Sequence, residues 1–133
     1  MNYLVDTNIL LWSFIDPGKL SDDVRTTLLQ KDNKIFYSPV NLWEISIKFG
    51  LKKILLNGGT PEDLLEEIEK SFFLSKSISS LTSSTVYKLP MYHKDPFDRF
   101  LIWEAIQSDY ILISSDDIFK QYKEEGLNLL QNL

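Results

Sequence analysis

The chain has 133 residues, 44% of them hydrophobic and 25% charged, with a net charge of −5 and no cysteine. These values describe one globular domain, 1–133, large enough to bury a core, and they exclude disulfides, thiolate metal sites and a cysteine nucleophile. No apolar run reaches the roughly 20 residues needed to span a bilayer, and the acidic balance argues against a general basic surface for nucleic acid.

The start, Met1-Asn2-Tyr3-Leu4-Val5-Asp6, has no basic residue and meets an acid before a signal core can form, so a cytoplasmic location is expected. Tyr3 to Val5 reads as a short buried strand, and the apolar stretch Ile9 to Trp12 as the helix after it. Ser21 is an N-cap for a helix from Asp22 to Gln30, and Ile35 to Tyr37 is a second strand. Pro39 opens a helix from Val40 to Phe49, with Gly50 expected to supply a left-handed end.

Thr60-Pro61-Glu62-Asp63 supplies a cap, a first-turn proline and early acids for a helix through Lys70. Its apolar stripe is Leu64, Leu65, Ile68 and Phe72, and its glutamates form the wet side. Phe72 to Ser75 is either strand or buried turn. Asp95-Pro96-Phe97-Asp98 opens a helix to about Gln107, followed by a strand from Ile111 to Ser114, a helix from Ile118 to Lys123 and a weaker strand at Leu127 to Leu130. Short apolar runs alternating with helices predict an α/β domain with a central, mainly parallel sheet of four to five strands flanked by helices.

Four acids, Asp6, Glu44, Asp98 and Asp116, stand where these elements would aim them at a common place. Asp6 and Asp116 follow the ends of two strands, where open α/β sheets bind ligands. Read alone, Asp6 is an N-cap. Glu44 fits a surface role less well, because its helix is apolar on nearly every face except a stripe of Asn41, Glu44 and Lys48, which is expected to face a polar cavity. Asp95 is the better cap for the following helix, leaving Asp98 to face inward. In the same way one of Asp116 and Asp117 caps while the other, Asp116, is free for chemistry. His93, the only histidine, is expected to order the turn before Pro96.

Taken in order, Val5-Asp6-Thr7-Asn8, then Ser38 with Leu42-Trp43-Glu44-Ile45-Ser46-Ile47-Lys48, then His93-Lys94-Asp95-Pro96-Phe97-Asp98-Arg99, then Ile113-Ser114-Ser115-Asp116 with Phe119 and Tyr122, resemble a PIN domain from end to end. More narrowly the pattern resembles VapC-type toxins of type II toxin–antitoxin pairs. The resemblance implies a metal-dependent endoribonuclease, its acidic site on Asp6, Glu44, Asp98 and Asp116, with Ser114 near the metal and Asn8 as a supporting polar group. It also implies an RNA substrate, a cognate antitoxin and a homodimer. Helices between Leu51 and Leu74 are a candidate antitoxin surface.

Hard carboxylate oxygens suit Mg²⁺, with Mn²⁺ as a substitute. Lys48 and Arg99 have two open roles, neutralising the cluster or touching phosphate on one hand and structural pairing on the other. Two rival readings stand beside the nuclease. An aspartyl-phosphate phosphatase of the haloacid-dehalogenase type would need a second Asp where Asn8 stands. A non-catalytic binding module would keep only the fold.

Overall fold

A computed structural model describes residues 1–133. The chain runs β1 (Asn2–Val5), α1 (Thr7–Ile15), α2 (Asp22–Leu29), β2 (Lys34–Tyr37), α3 (Pro39–Gly50), α4 (Pro61–Lys70), β3 (Leu74–Ser75), α5 (Ser80–Thr85), α6 (Pro96–Ser108), β4 (Ile111–Ser114) and β5 (Asn128–Gln131). Short 3-10 turns occupy Pro17–Lys19 and Val86–Lys88, and a longer 3-10 segment covers Asp117–Glu125.

All five strands are parallel, in the order β3-β2-β1-β4-β5. The chain builds β1 to β3 towards one edge, then returns to the middle and lays β4 and β5 on the other side. The order therefore reverses between β1 and β4, and the carboxyl ends of these strands are where open α/β sheets place their ligand crevice.

The central strands are covered on both faces, and the period of two sorts their residues between two cores. Tyr3, Val5 and Ile113 join Ile9, Leu10, Val24, Ile45 and Ile68 on one face, while Leu4 and Leu112 join Leu101, Ile102, Phe119 and Tyr122 on the other. The strands are short and the sheet is fully buried at its centre, with Leu4, Val5, Leu112 and Ile113 at 0% exposure.

Several sequence expectations shift here. The sheet is wholly parallel, and β3 is a two-residue edge strand with exposed residues, not a buried turn. Phe72 does not extend the stripe of α4: it lies beyond the helix end and is exposed, and the next residue, Phe73, turns inward instead. Gly50 ends α3 in helical geometry, and the left-handed residue is Lys52 (φ 58°), two positions on. The segment after Asp116 is 3-10, not α-helical. The Ser/Thr-rich helix α5, capped by Ser79, carries no apolar stripe and had no signal in the hydrophobic pattern.

One buried group is out of keeping with the core. Glu104, on the inner side of α6, is 1% exposed, and neither of its carboxylate oxygens has a hydrogen-bond partner. Burial pushes its carboxyl up to about 7, and the Lys76 ammonium 3.9 Å away and the nearby Ser38 hydroxyl offset only part of that cost.

An acid whose folded pKa is raised loses folded-state stability as pH climbs from its unfolded value to its folded one, here from about 4.5 to about 7. Glu104→Gln should therefore change little at pH 5 and stabilise the fold at pH 8 by on the order of 1–2 kcal/mol in urea denaturation. Equal effects at both pH values would show that Glu104 is not a buried charge.

Candidate metal centre

The crevice between β1 and β4 is built by backbone pairing before any side chain is considered. Val5 lies beside Ile113 in register, and the Asp6 amide donates to the Ile113 carbonyl at 3.0 Å. This sets Asp6 next to Ser114. The Ser114 hydroxyl, fully buried, donates to Asp6 Oδ2 at 2.6 Å and accepts from the Asp116 amide at 3.0 Å. One hydroxyl thus joins the acids that follow the two central strands.

Asp6 and Asp116 are also held by helix starts, because free amides there favour a carboxylate. Asp6 Oδ1 accepts from the Ile9 amide at 2.8 Å and caps α1. Asp95 Oδ1 accepts from the Phe97 and Asp98 amides and caps α6, which leaves the Asp98 carboxylate, on the first turn, unused by the cap. Asp116 departs from the expected division of labour between neighbours: it caps the 3-10 segment through Oδ1 and still presents Oδ2 to the crevice, while Asp117 lies outside, bonded to Gln131.

Glu44 comes from the third side. Asn41 anchors this part of α3: its Oδ1 accepts from the Ser38 amide, and its Nδ2 donates to Thr7 Oγ1 (3.1 Å) and to the Val5 carbonyl (3.4 Å). One turn along, Glu44 is 4% exposed, its Oε2 is 2.6 Å from Lys48 Nζ, and its Oε1 is buried with no partner.

Of the stripe Asn41, Glu44 and Lys48, the last two lie in the field of the acids, while Asn41 is buried and ties α3 to Val5 and Thr7. The rest of α3 is less buried than its composition suggests, since Trp43 and Ile47 are 62% and 39% exposed.

Electrostatics bind the acids into one unit. Asp98 is pushed up to about 8 by burial, and the charges of Asp95, Asp6, Glu44 and Asp116 add to the shift. Asp6 is raised to about 6, mainly by burial, with the Ser114 and Ile9 hydrogen bonds working against the rise. Burial alone would lower the Lys48 ammonium, but Glu44, with Asp95 and Asp98 behind it, outweighs that and holds it above the ordinary lysine value.

His93 stands inside the cluster, a place its sequence context did not indicate. Its Nε2 is 3.0 Å from Asp98 Oδ2 and 3.0 Å from Asp116 Oδ2, and these three side chains bring ligand atoms within 4.8 Å of one another. The ring also orders the turn, as expected, because Nδ1 accepts from the Asp95 amide at 3.2 Å. The only available signal was the spacing of a single histidine five residues before Asp98 on the far side of a proline turn.

Arg99 is not at the cluster. Its guanidinium donates to the carbonyls of Pro90 and Leu89, both at 3.0 Å, and more loosely to those of His93 and Val86, so its planar fork organises the loop that carries His93. Of its two open roles the geometry selects the structural one, with carbonyls as partners in place of a carboxylate. Asn8 is exposed on the first turn of α1.

The donor set fits a hard divalent cation. It offers carboxylate oxygens from several elements, an orphaned buried oxygen on Glu44, and an Asp98 whose ionisation burial and like charges oppose, a cost that a bound cation would relieve.

Two comparisons match the chain. A family model described as PIN domain matches residues 3–125. Among solved structures, VapBC2 from Rickettsia felis bound to a DNA fragment from its promoter is similar at TM-score 0.71 and 20% identity, with 100% of each chain covered. VapBC-1 from nontypeable Haemophilus influenzae is similar at TM-score 0.64 and 16% identity, covering 98% of each chain. FitAcB from Neisseria gonorrhoeae is similar at TM-score 0.59 and 16% identity, covering 96% of each. At such identities these likenesses show a shared fold. No curated protein matches.

The raised carboxyl of Asp98 carries a sign that can be checked. Its penalty sets in as pH rises from about 4 and is complete near 8, so the protein in EDTA should lose stability across that window. Asp98→Asn should flatten the loss and raise the melting temperature at pH 8, each kcal/mol recovered reading as roughly 3–5 °C. An unchanged pH slope in the variant would show that Asp98 does not bear the repulsion.

Proposed function

The chain belongs to the PIN domain family, and on that premise we propose that it is a Mg²⁺-dependent endoribonuclease, the toxin of a toxin–antitoxin pair. The observation that carries the reading is the gathering of Asp6, Glu44, Asp98 and Asp116 into one electrostatic unit, in which the Asp98 carboxyl is raised first by burial and then by the charges of Asp95, Asp6, Glu44 and Asp116. Asp98 and Asp116 would hold the cation most directly, with Asp6 and Glu44 completing the oxygen-rich wall. When bound, Mg²⁺ polarises a phosphoryl oxygen and lowers the pKa of a bound water.

The chain's own residues do the rest. Ser114 keeps the Asp6 and Asp116 ends in step, and the helix starts behind Asp6 and Asp116 orient those carboxylates. Lys48 offsets part of the acid charge, and being 40% exposed at its side chain it is also placed to meet a phosphate. An acidic crevice of this kind would otherwise repel RNA, so substrate approach depends on the cation reversing the local sign. The aspartyl-phosphate alternative has little support, since that chemistry calls for a second Asp where Asn8 stands.

An antitoxin partner is supported by exposed apolar residues between Leu51 and Leu74, which lie on the loops around α4 and on β3 and not on a helix as expected. Leu55, Phe72 and Leu74 are exposed, and Phe72 and Phe73 line an apolar cavity of about 240 Å³ together with Phe14, Leu20, Leu28 and Leu29. The structural neighbours include VapBC complexes described on DNA, which fits a toxin held by a DNA-binding partner. A homodimer and a cytoplasmic location belong to the same proposal. No helix is long and apolar enough to cross a membrane.

Purified protein should cut RNA with Mg²⁺ or Mn²⁺ and stop in EDTA, and Asp6→Asn, Asp98→Asn and Asp116→Asn should each lose more than about 100-fold in rate. Cleavage that persists in EDTA, or in the triple variant, would sink the metal-nuclease reading. Binding of RNA without any cleavage would instead favour the non-catalytic module.

A further inference from the structure

His93 lies within 3.0 Å of two carboxylates at once, and its two ring nitrogens face opposite tasks. Nδ1 lies 3.2 Å from the Asp95 amide and accepts from it. A nitrogen that accepts from N–H carries no hydrogen of its own, so the ring's N–H is on Nε2. That N–H is hydrogen-bonded to Asp116 Oδ2 at 3.0 Å, and Asp98 Oδ2 lies at the same 3.0 Å from the nitrogen. If Nε2 ligated a metal, its hydrogen would move to Nδ1 and meet the Asp95 amide donor head on. The backbone of the α6 cap therefore works against a nitrogen ligand here.

We propose that His93 is a positioning residue, whose Nε2–H bridges Asp98 and Asp116 and holds the two carboxylates at a set separation for a divalent cation, acting as a donor and not as a ligand. Each oxygen keeps a free lone pair while accepting this bond, so bridging and ligation are compatible. The ring is itself fixed: it packs edge-on against Phe119 with centroids 5.7 Å apart, and its side chain is 10% exposed. Hydrogen-bonded supports of this kind commonly contribute 10- to 100-fold to metal affinity. The inference rests on the cation reading above for the ion, but the tautomer stands on geometry alone.

Because the chain has a single histidine, its ring signals can be assigned without ambiguity. Nitrogen-15 NMR of the full chain at pH 7 should show the Nε2–H form, unchanged when Mg²⁺ is added. Calorimetric Mn²⁺ binding should weaken about 10- to 100-fold in His93→Ala, and His93→Gln, which returns an N–H near the Nε2 position, should recover much of the loss.

The loop should survive these changes, since the His93 backbone amide donates to Tyr122 Oη and its carbonyl accepts from Arg99. If His93→Ala nevertheless fails to fold, the NMR arm and His93→Gln decide. An Nδ1–H form, or a ring signal shifted by direct metallation, overturns the proposal. Equal Mn²⁺ affinity in wild type and His93→Ala overturns it while leaving the cation site intact. No Mn²⁺ binding by the wild type overturns the cation reading and this proposal together.

Discussion

The parallel pairing of β1 with β4 at the centre of the sheet is the constraint on which the rest depends. These two strands are distant in sequence, yet their register puts Val5 beside Ile113 and so Asp6 beside Ser114. The Ser114 hydroxyl then converts neighbouring strand ends into one connected unit by donating to Asp6 and accepting from the Asp116 amide. A slip of one residue would turn the inward chain of β4 to the opposite face and remove the hydroxyl from the crevice. The sheet's buried faces make such a slip costly, because Leu112 and Ile113 serve different cores.

Around this seam the fold gathers negative charge at an electrostatic cost. Three acids are helix N-caps and take hydrogen bonds from backbone amides, which lowers the cost of holding them ionised. Asp98 has no such help from the cap of its own helix, which Asp95 supplies, and it carries the largest rise. Lys48 offsets part of the charge, and the His93 ring adds a hydrogen-bond donor. The arrangement is thus stable enough to fold and still short of positive charge, a state that favours a divalent ion over further protein contacts.

The supports lie one layer out and use the chain's backbone heavily. Arg99 spends its guanidinium on carbonyls between Val86 and His93, and Tyr122 accepts from the His93 amide while donating to the Pro90 carbonyl. This loop has little regular structure of its own, so a buried arginine and a buried tyrosine do the work that a ladder would do in a strand. Elsewhere the molecule leaves apolar side chains open, Trp43 and Ile47 on α3 among them, and Trp43 packs edge-on against Phe97 beside the crevice. Such exposure is more than solitary surface hydrophobes need and suits contact with other chains.

Local rules acting over a few residues made much of this molecule legible before folding. Caps at Ser21, Thr60 and Asp95, prolines opening α3, α4 and α6, and short apolar strands ended by acids all act within one turn or one strand, and they located most of the elements and made the four acids candidates. Elements whose stability comes from distant partners left no such mark. The two-residue β3 exists through its pairing with Phe36 and Tyr37, and Phe73 in place of Phe72 is buried because the chain turns after α4.

The same holds for individual side chains. His93 joins the crevice because α6 and the segment after β4 meet there, and Arg99 leaves it because the nearby loop offers carbonyls at better geometry. Residue type and spacing could say which groups were available for chemistry. Only the three-dimensional packing decided which oxygen faced the crevice and which capped a helix, because those choices depend on distances between segments up to 108 positions apart in the chain, as between Asp6 and Ser114.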